Sequence, residues 1–158
     1  MAYEIRPMTK EDVPAVYEVE CICFRSPWSK TALYGELRND VAHYHVLFED
    51  GIVVGYAGMW VLFEEAHVTN IAVMPGSRRK GYGKALLLSM MAWAKELGAS
   101  TMTLEVRETN LAAQNLYEKL DFIQNGFRRR YYEDTGEGAL ILWNMDFEKT
   151  LEKNGRNL

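Results

Sequence analysis

Apolar and polar residues change period several times along this chain, and each change marks an element. Tyr3-Glu4-Ile5-Arg6-Pro7 alternates with a period of two, as a short strand does. From Asp12 the period lengthens. Val16, Val19 and Cys23 fall on one helical stripe, with Asp12 placed as the N-cap and Pro14 tolerated in the first turn. Ser26-Pro27-Trp28-Ser29 interrupts that helix, and Ser29 is placed to cap a second one reaching Arg38, with Leu33 and Leu37 on one face. Residues 44–49 and 52–63 then read as strands joined by Asp50-Gly51, a strong hairpin signal. A turn at Glu64-Glu65 leads into a third strand over 67–73.

Beyond Pro75-Gly76 the pattern becomes helical again. Leu87, Met90, Met91, Ala94 and Leu97 form a stripe within 83–97, and Gly98 stands where a C-terminal cap belongs. Residues 101–106 read as a strand, and Ala113, Leu116, Tyr117 and Leu120 as a further helical stripe. Strand, helix, strand and helix over 67–120 make a parallel βαβ unit with an added helix. Two last strands, 122–132 and 139–147, flank the polar loop Glu133-Asp134-Thr135-Gly136-Glu137-Gly138. The expected fold class is α/β (α+β), a mixed central sheet with antiparallel N-terminal strands, a parallel βαβ unit and flanking helices. With no internal repeat or linker, residues 1–147 are expected to form a single domain, and 148–158 a polar tail that frays.

Composition narrows the function. A length of 158 residues suits one domain, and a chain of that size buries roughly 70% of the surface its unfolded form exposes. A net charge of −4 argues against nucleic acid as the direct ligand. The clusters Arg78-Arg79-Lys80 and Arg128-Arg129-Arg130 would, without further context, be solvated charge. Cys21 and Cys23 are read as two buried thiols of a reducing compartment. They have no second pair to build a zinc site, and His43, His45 and His67 lack metal-ligand spacing with them. No metal is expected. Residues 1–8 lack the apolar core of a signal peptide, and no apolar run approaches the roughly 20 residues of a membrane span. A cytoplasmic protein with no membrane partner is the expectation.

The most informative stretch is Arg78-Arg79-Lys80-Gly81-Tyr82-Gly83-Lys84, which follows a strand and opens a helix. Helix N-termini carry unpaired N–H groups and partial positive charge, and glycine lets the backbone approach an anion closely. The stretch does not match a nucleoside-triphosphate P-loop, because Tyr82 and Gly83 stand where lysine and a hydroxyl residue are needed. It does not match a dinucleotide fingerprint either, because Leu86 occupies the third glycine position. What remains is Arg/Gln-x-x-Gly-x-Gly/Ala, filled by Arg78, Gly81 and Gly83.

That turn resembles the coenzyme A pyrophosphate loop of the GCN5-related N-acetyltransferases. The resemblance runs from about Ile5 to Phe147 in the order of elements. It includes Asn70-Ile71-Ala72-Val73, Leu104-Glu105-Val106-Arg107, and Asn110 through Tyr117-Glu118-Lys119-Leu120. Pro27-Trp28-Ser29 and Arg129-Arg130-Tyr131-Tyr132 are similar to the RimI branch, which acetylates the N-terminal alanine of a small-subunit ribosomal protein. One departure is Asp121, where the branch usually carries glycine; aspartate can occupy a left-handed turn.

The resemblance implies an acetyl-CoA-dependent N-acetyltransferase with acetyl-CoA as co-substrate and a protein N-terminus, of the ribosomal-protein type, as partner. It assigns Arg78, Arg79, Lys80, Gly81, Tyr82, Gly83 and Lys84 to the pyrophosphate, the backbone of Ile71, Ala72 and Val73 to the pantetheine, and Asn110 to the coenzyme arm. Glu105 takes the place of the base, and the pleat turns it away from Met102, Leu104 and Val106. Tyr117 takes the place of the acid beside the thioester sulfur. The plain alternatives are an ion-paired strand carboxylate, with Arg107 as partner, for Glu105; a core aromatic for Tyr117; and a helix cap for Asn110. Acetylation of a small amine, or a non-catalytic acetyl-CoA-binding module, are the competing functions.

Overall fold

Two residues with positive φ, Asp50 (51°) and Gly51 (82°), turn the chain tightly between its first long strands, as the Asp-Gly signal requires. The computed structural model describes residues 3–155. Strands β1 (Tyr3–Pro7), β2 (Ala42–Glu49), β3 (Ile52–Leu62), β4 (Glu65–Val73), β5 (Thr101–Arg107), β6 (Ile123–Arg128) and β7 (Ala139–Asn144) alternate with helices. These are α1 (Val13–Cys23), α2 (Lys30–Leu37), α3 (Tyr82–Glu96), α4 (Leu111–Lys119) and α5 (Phe147–Gly155). The hydrogen-bonded strand order is β1-β2-β3-β4-β5-β7-β6, with β4 and β5 parallel. This is the mixed α/β sheet that the alternation of periods implies. The described residues group into two compact units, and β3 and β4 run through both.

The first unit takes in the chain up to Trp60 together with Thr69–Met90. Val13, Val16, Val19, Leu33, Val46 and Tyr56 are fully buried at its centre. Ser29 caps α2, its Oγ accepting from the Ala32 N–H at 3.0 Å. Two carboxylates lie inside this core. Glu20 accepts from the Trp28 backbone N–H at 2.7 Å, from the Tyr56 hydroxyl and from Asn70 Nδ2 at 3.4 Å. Glu36 accepts from the Tyr44 hydroxyl and Trp60 Nε1, both at 2.8 Å. Burial, with the nearby carboxylates, pushes both phenols far above their ordinary range, so they remain donors.

Two expectations are met only in part. Asp12 stands at the N-cap position of α1, but its side chain makes no cap hydrogen bond to the helix and its backbone is already helical, at φ −82° and ψ −18°. Its carboxylate instead reaches back to the Thr9 N–H (2.9 Å) and to Arg6 Nη1 (2.9 Å), closing the short turn that precedes the helix. Nor are both thiols buried, since Cys21 is exposed and Cys23 half-buried. Two residues apart on a helix, they cannot both face the core.

The second unit takes in Val61–Val68 and the chain from Met91 onward. Here β4 and β5 pair in parallel over Glu65↔Thr101, Ala66↔Met102 and His67↔Thr103. Strand β7 lies antiparallel to β5 from Met102↔Asn144 to Arg107↔Ala139. Strand β6 is shorter than expected: its register shifts between Gln124 and Phe127, and the chain turns off at Arg130, φ 52°. The tail expected from Glu148 is a helix as far as Gly155, and Phe147 opens it rather than ending a strand. Phe147 and Thr150 are fully buried. Thr150 Oγ1 donates to Asp121 (2.8 Å), Lys153 Nζ donates to the same carboxylate (2.8 Å), and buried Asn144 donates to the Leu120 carbonyl (2.8 Å). Asp121 takes the left-handed turn, at φ 68°.

Candidate active site

In the first unit, β4 runs through Ile71, Ala72 and Val73 into a short 3-10 turn and then α3. Arg78 is drawn back onto the strand, its Nε donating to the Val73 carbonyl at 3.0 Å. Cys23 Sγ shares that carbonyl at 3.5 Å. Arg79 and Gly81 take left-handed conformations, φ 65° and 79°, which reverse the chain onto the helix axis. The first bond of α3 runs from the Ala85 N–H to the Gly81 carbonyl (3.0 Å). The N–H groups of Tyr82, Gly83 and Lys84 therefore precede the helical ladder and point out along its axis. A Cβ built on Gly81 meets no atom within 4 Å, so the backbone there is open to an approaching anion. These features fit a pyrophosphate.

The basic side chains of this loop are not alike. Arg79 and Lys84 are exposed. Lys80 Nζ bonds Glu49 at 2.9 Å, and the buried Tyr82 donates its hydroxyl to the same carboxylate. Those two bonds hold the Glu49 carboxyl below its ordinary range, and the bond to Glu49, with burial, pushes the Tyr82 phenol up to about 12. Lys80 and Tyr82 thus brace the loop against β2, while the backbone carries its anion-binding surface.

In the second unit, Met102, Leu104 and Val106 of β5 are buried, and Glu105 sits on the opposite, half-buried face. Its partner is His67 of β4, whose Nε2 lies 2.7 Å from Glu105 Oε2. The bond to Glu105 outweighs partial burial and raises the imidazole above its ordinary pKa. Arg107 pairs elsewhere, with Asp134 at 2.9 Å and Glu137 at 3.3 Å. Its guanidinium lies 4.0 Å from the Tyr132 ring centroid. Glu137 also accepts from the Thr109 hydroxyl at 2.6 Å, so the β6–β7 loop is fastened to the end of β5.

Tyr117 is buried on α4, its ring edge-on to Phe122 at 5.7 Å. Burial, and then the Tyr132 phenol, raise its pKa; Tyr132 is in turn raised to about 12 by burial and, among its neighbours, by Glu105. Asn110 caps α4, its Oδ1 accepting from the Ala113 N–H at 3.1 Å. Among the described residues, no group of three or more His, Cys, Asp or Glu side chains converges to hold a metal ion.

The structure thus gathers Ile71–Val73 with the 78–84 loop in one unit, and Glu105, Asn110 and Tyr117 in the other. His67 and Glu49 are additions that sequence patterning did not select, and Tyr132 entered only through the branch resemblance. His67 had one signal: it occupies the outward phase of its strand, as Glu105 does on the next.

The sequence profile of the acetyltransferase (GNAT) family matches residues 13–122. A Bacillus subtilis protein named as a candidate [ribosomal protein bS18]-alanine N-acetyltransferase is 44% identical over 140 residues, covering 88% of this chain and 93% of that one. The [ribosomal protein bS18]-alanine N-acetyltransferase of Escherichia coli K12 is 34% identical over 140 residues, 87% and 94% of the two chains. The crystal structure of the ribosomal-protein-S18-alanine N-acetyltransferase from Escherichia coli superposes with a TM-score of 0.83 at 33% identity, over 90% of this chain and 92% of that one. Profile, whole-length identity and fold agree, and this chain belongs to the acetyltransferase (GNAT) family, as an N-acetyltransferase that uses acetyl-CoA.

Proposed function

We propose that this enzyme acetylates the N-terminal α-amine of a protein, of the ribosomal-protein-alanine type, with Glu105 supplying the base carboxylate and Tyr117 the acid, within one catalytic domain over residues 1–147. The observation that carries the reading is the partnering at the end of β5. Arg107 is committed to Asp134 and Glu137, and Glu105 shares its carboxylate with an imidazole instead of a permanent cation. A carboxylate locked to a guanidinium would be a poor proton acceptor. The acceptor class rests on the names and whole-length identity of the bacterial relatives.

Acetyl-CoA supplies the activated acetyl group as a thioester. Its pyrophosphate is assigned to the N–H groups at the start of α3, with Arg79 and Lys84 as exposed neighbouring cations and Arg78, Lys80 and Tyr82 bracing the loop. Its pantetheine arm is assigned to the backbone of Ile71, Ala72 and Val73, like an added strand. Because the Val73 carbonyl already accepts from Arg78 and Cys23, the arm is left with the other backbone groups of this segment. Asn110 holds its helix cap and offers its Nδ2 to the coenzyme arm. Tyr117, kept protonated by burial, donates a hydrogen bond to the departing thiolate.

Of the acidic residues on the turns at 64–65 and 133–138, Asp134 and Glu137 are paired with Arg107. Exposed Glu64, Glu65 and Glu133 are the carboxylates that would draw a basic tail. The test has two parts. Glu105→Gln should lower kcat by about 10²-fold with acetyl-CoA binding near normal, and Tyr117→Phe should lower it as well. Wild-type turnover in either folded variant removes that residue from the mechanism. A basic Ala-initiated peptide, its acidic-tail counterpart and free spermidine are then compared at low and high salt; preference for spermidine would refute the acceptor class.

A further inference from the structure

His67 and Glu105 meet because the parallel register sets His67 opposite Thr103, two residues before Glu105 on the same face of the sheet. The contact, Nε2 to Oε2 at 2.7 Å, has a definite chemical sense. An ionised carboxylate only accepts hydrogen bonds, so Nε2 carries the hydrogen and the Nδ1 of the neutral ring carries a lone pair. His67 is also the more accessible partner: its side chain is 38% exposed and that of Glu105 16%. The imidazole is thus the more open of the two to solvent.

We propose that the base of this enzyme is the His67–Glu105 pair, with Nδ1 of His67 taking the proton from the acceptor ammonium while Glu105 orients the ring and stabilises the imidazolium. The inference rests on the reading that Glu105 belongs to the base, and replaces direct transfer to its carboxylate with transfer to the imidazole it holds. The step balances without any redox partner. One N–H bond of R–NH3+ breaks and an Nδ1–H bond forms. The freed amine lone pair then forms the C–N bond to the thioester carbonyl carbon. The C–S bond breaks, and the coenzyme A thiolate leaves with a proton from Tyr117. Tyr117 recovers a proton from the acylated nitrogen through solvent, while the imidazolium returns its own proton to water.

Acidity matching favours the imidazole. An α-amine has a pKa near 8, an ordinary imidazole about 6.5 and an ordinary carboxylic acid about 4, so transfer to an imidazole is uphill by about 1.5 pKa units and to a lone carboxylate by nearly 4. The surroundings narrow the smaller gap further. The bond to Glu105 on β5 raises His67, partial burial lowers it, the charges of Glu105 and of Glu65 on its own strand raise it, and Arg128 at the end of β6 lowers it; the net direction is up. The arrangement is that of an imidazole whose far nitrogen is fixed by an acid.

The test uses His67→Gln, which keeps a donor for Glu105 but cannot accept a proton. Turnover of an Ala-initiated peptide by the full chain should fall about 10²-fold, the acetyl-CoA KM should stay within about twofold, and the acidic limb of the kcat/KM–pH profile should disappear. In free Glu105→Gln, the imidazole pKa of His67, read by NMR, should fall towards about 6.5, its ordinary value. Wild-type kcat with an unmoved acidic limb in His67→Gln overturns the proposal. If Glu105→Gln is inactive and His67→Gln is active, Glu105 acts without the imidazole: the pair is overturned and the Glu105 reading survives. If only His67→Gln is inactive, the assignment of Glu105 falls, and the pair with it.

Discussion

Removing one oxygen atom from the core of the first unit, by Tyr56→Phe, tests whether the buried carboxylate of Glu20 organises that unit. The Tyr56 hydroxyl donates to Glu20 and accepts from Asn70 Nδ2 at 3.1 Å, and Tyr56 is fully buried. A hydrogen bond to a charged group contributes about 1.5–3 kcal/mol net, and an orphaned buried donor adds about 1 kcal/mol or more. The expected cost is therefore about 2–4 kcal/mol, large beside the roughly 5–15 kcal/mol of an ordinary domain. Urea unfolding reads it as a fall in midpoint of about 1–2 M at unchanged slope. Glu20→Gln removes one of the carboxylate's two equivalent acceptors, so the double variant should cost less than the sum of the singles by about 1–3 kcal/mol. Because Glu20 also accepts from the Trp28 backbone N–H, both variants should loosen the segment between α1 and α2, seen as faster amide exchange at Trp28. Additivity within about 0.5 kcal/mol, with each single costing less than that, would refute the network.

Gly81→Ala should cost about 1–2 kcal/mol of stability through its left-handed φ of 79°, since an added Cβ meets no neighbour. Gly81→Val should raise the acetyl-CoA KM far more than Arg79→Ala does; calorimetry showing equal affinities would remove the backbone from the phosphate site. Phe147→Ala, at a fully buried side chain, should cost about 3–5 kcal/mol; thermal melts unchanged from wild type would show that α5 does not support the second unit. Burial pushes the Asp121 carboxyl up, but its bonds to Lys153 and Thr150 outweigh this and leave it below its ordinary pKa. Its contribution should be full above about pH 4, near the unfolded value, and fade as pH falls through the lower folded value. The stability gap between wild type and Asp121→Asn should close in acid, and a constant gap would contradict the pairing.

What could be read beforehand was what depends on neighbours along the chain. The pleat put Glu105 opposite Leu104 and Val106; Ser29 and Asn110 sit one residue before their helices and cap them; Asp50-Gly51 turned as its composition demands. What escaped depends on partners far apart in sequence. Asp12 looks like a cap until Arg6 and Thr9 claim its carboxylate. Only Phe147 and Leu151 are apolar in the last helix, so it reads as a polar tail; Thr150 is buried because Asp121 and Asn144, on other elements, bond its hydroxyl. Nothing along α1 or α2 singles out Glu20 and Glu36, because the tyrosines that bond them, Tyr56 and Tyr44, lie on strands 36 and 8 residues later. His67 needed the parallel register, which nothing in the local pattern of β4 specifies.

The bonds from Lys80 and Tyr82 to Glu49 bear on the thermodynamics of coenzyme capture. A phosphate site made of mobile cationic side chains loses their rotamer freedom when the anion arrives, and its affinity falls steeply with ionic strength. Here two of the loop's side chains are already immobilised on β2, so that entropy is lost during folding and not at binding. The Lys80 charge is already answered by a carboxylate, leaving fixed peptide dipoles and the exposed cations Arg79 and Lys84 as the attraction. Binding of 3′,5′-ADP, the anionic end of the coenzyme, should therefore weaken with salt only as far as those two exposed cations account for. Glu49→Gln should make the same association both more salt-sensitive and entropically less favourable.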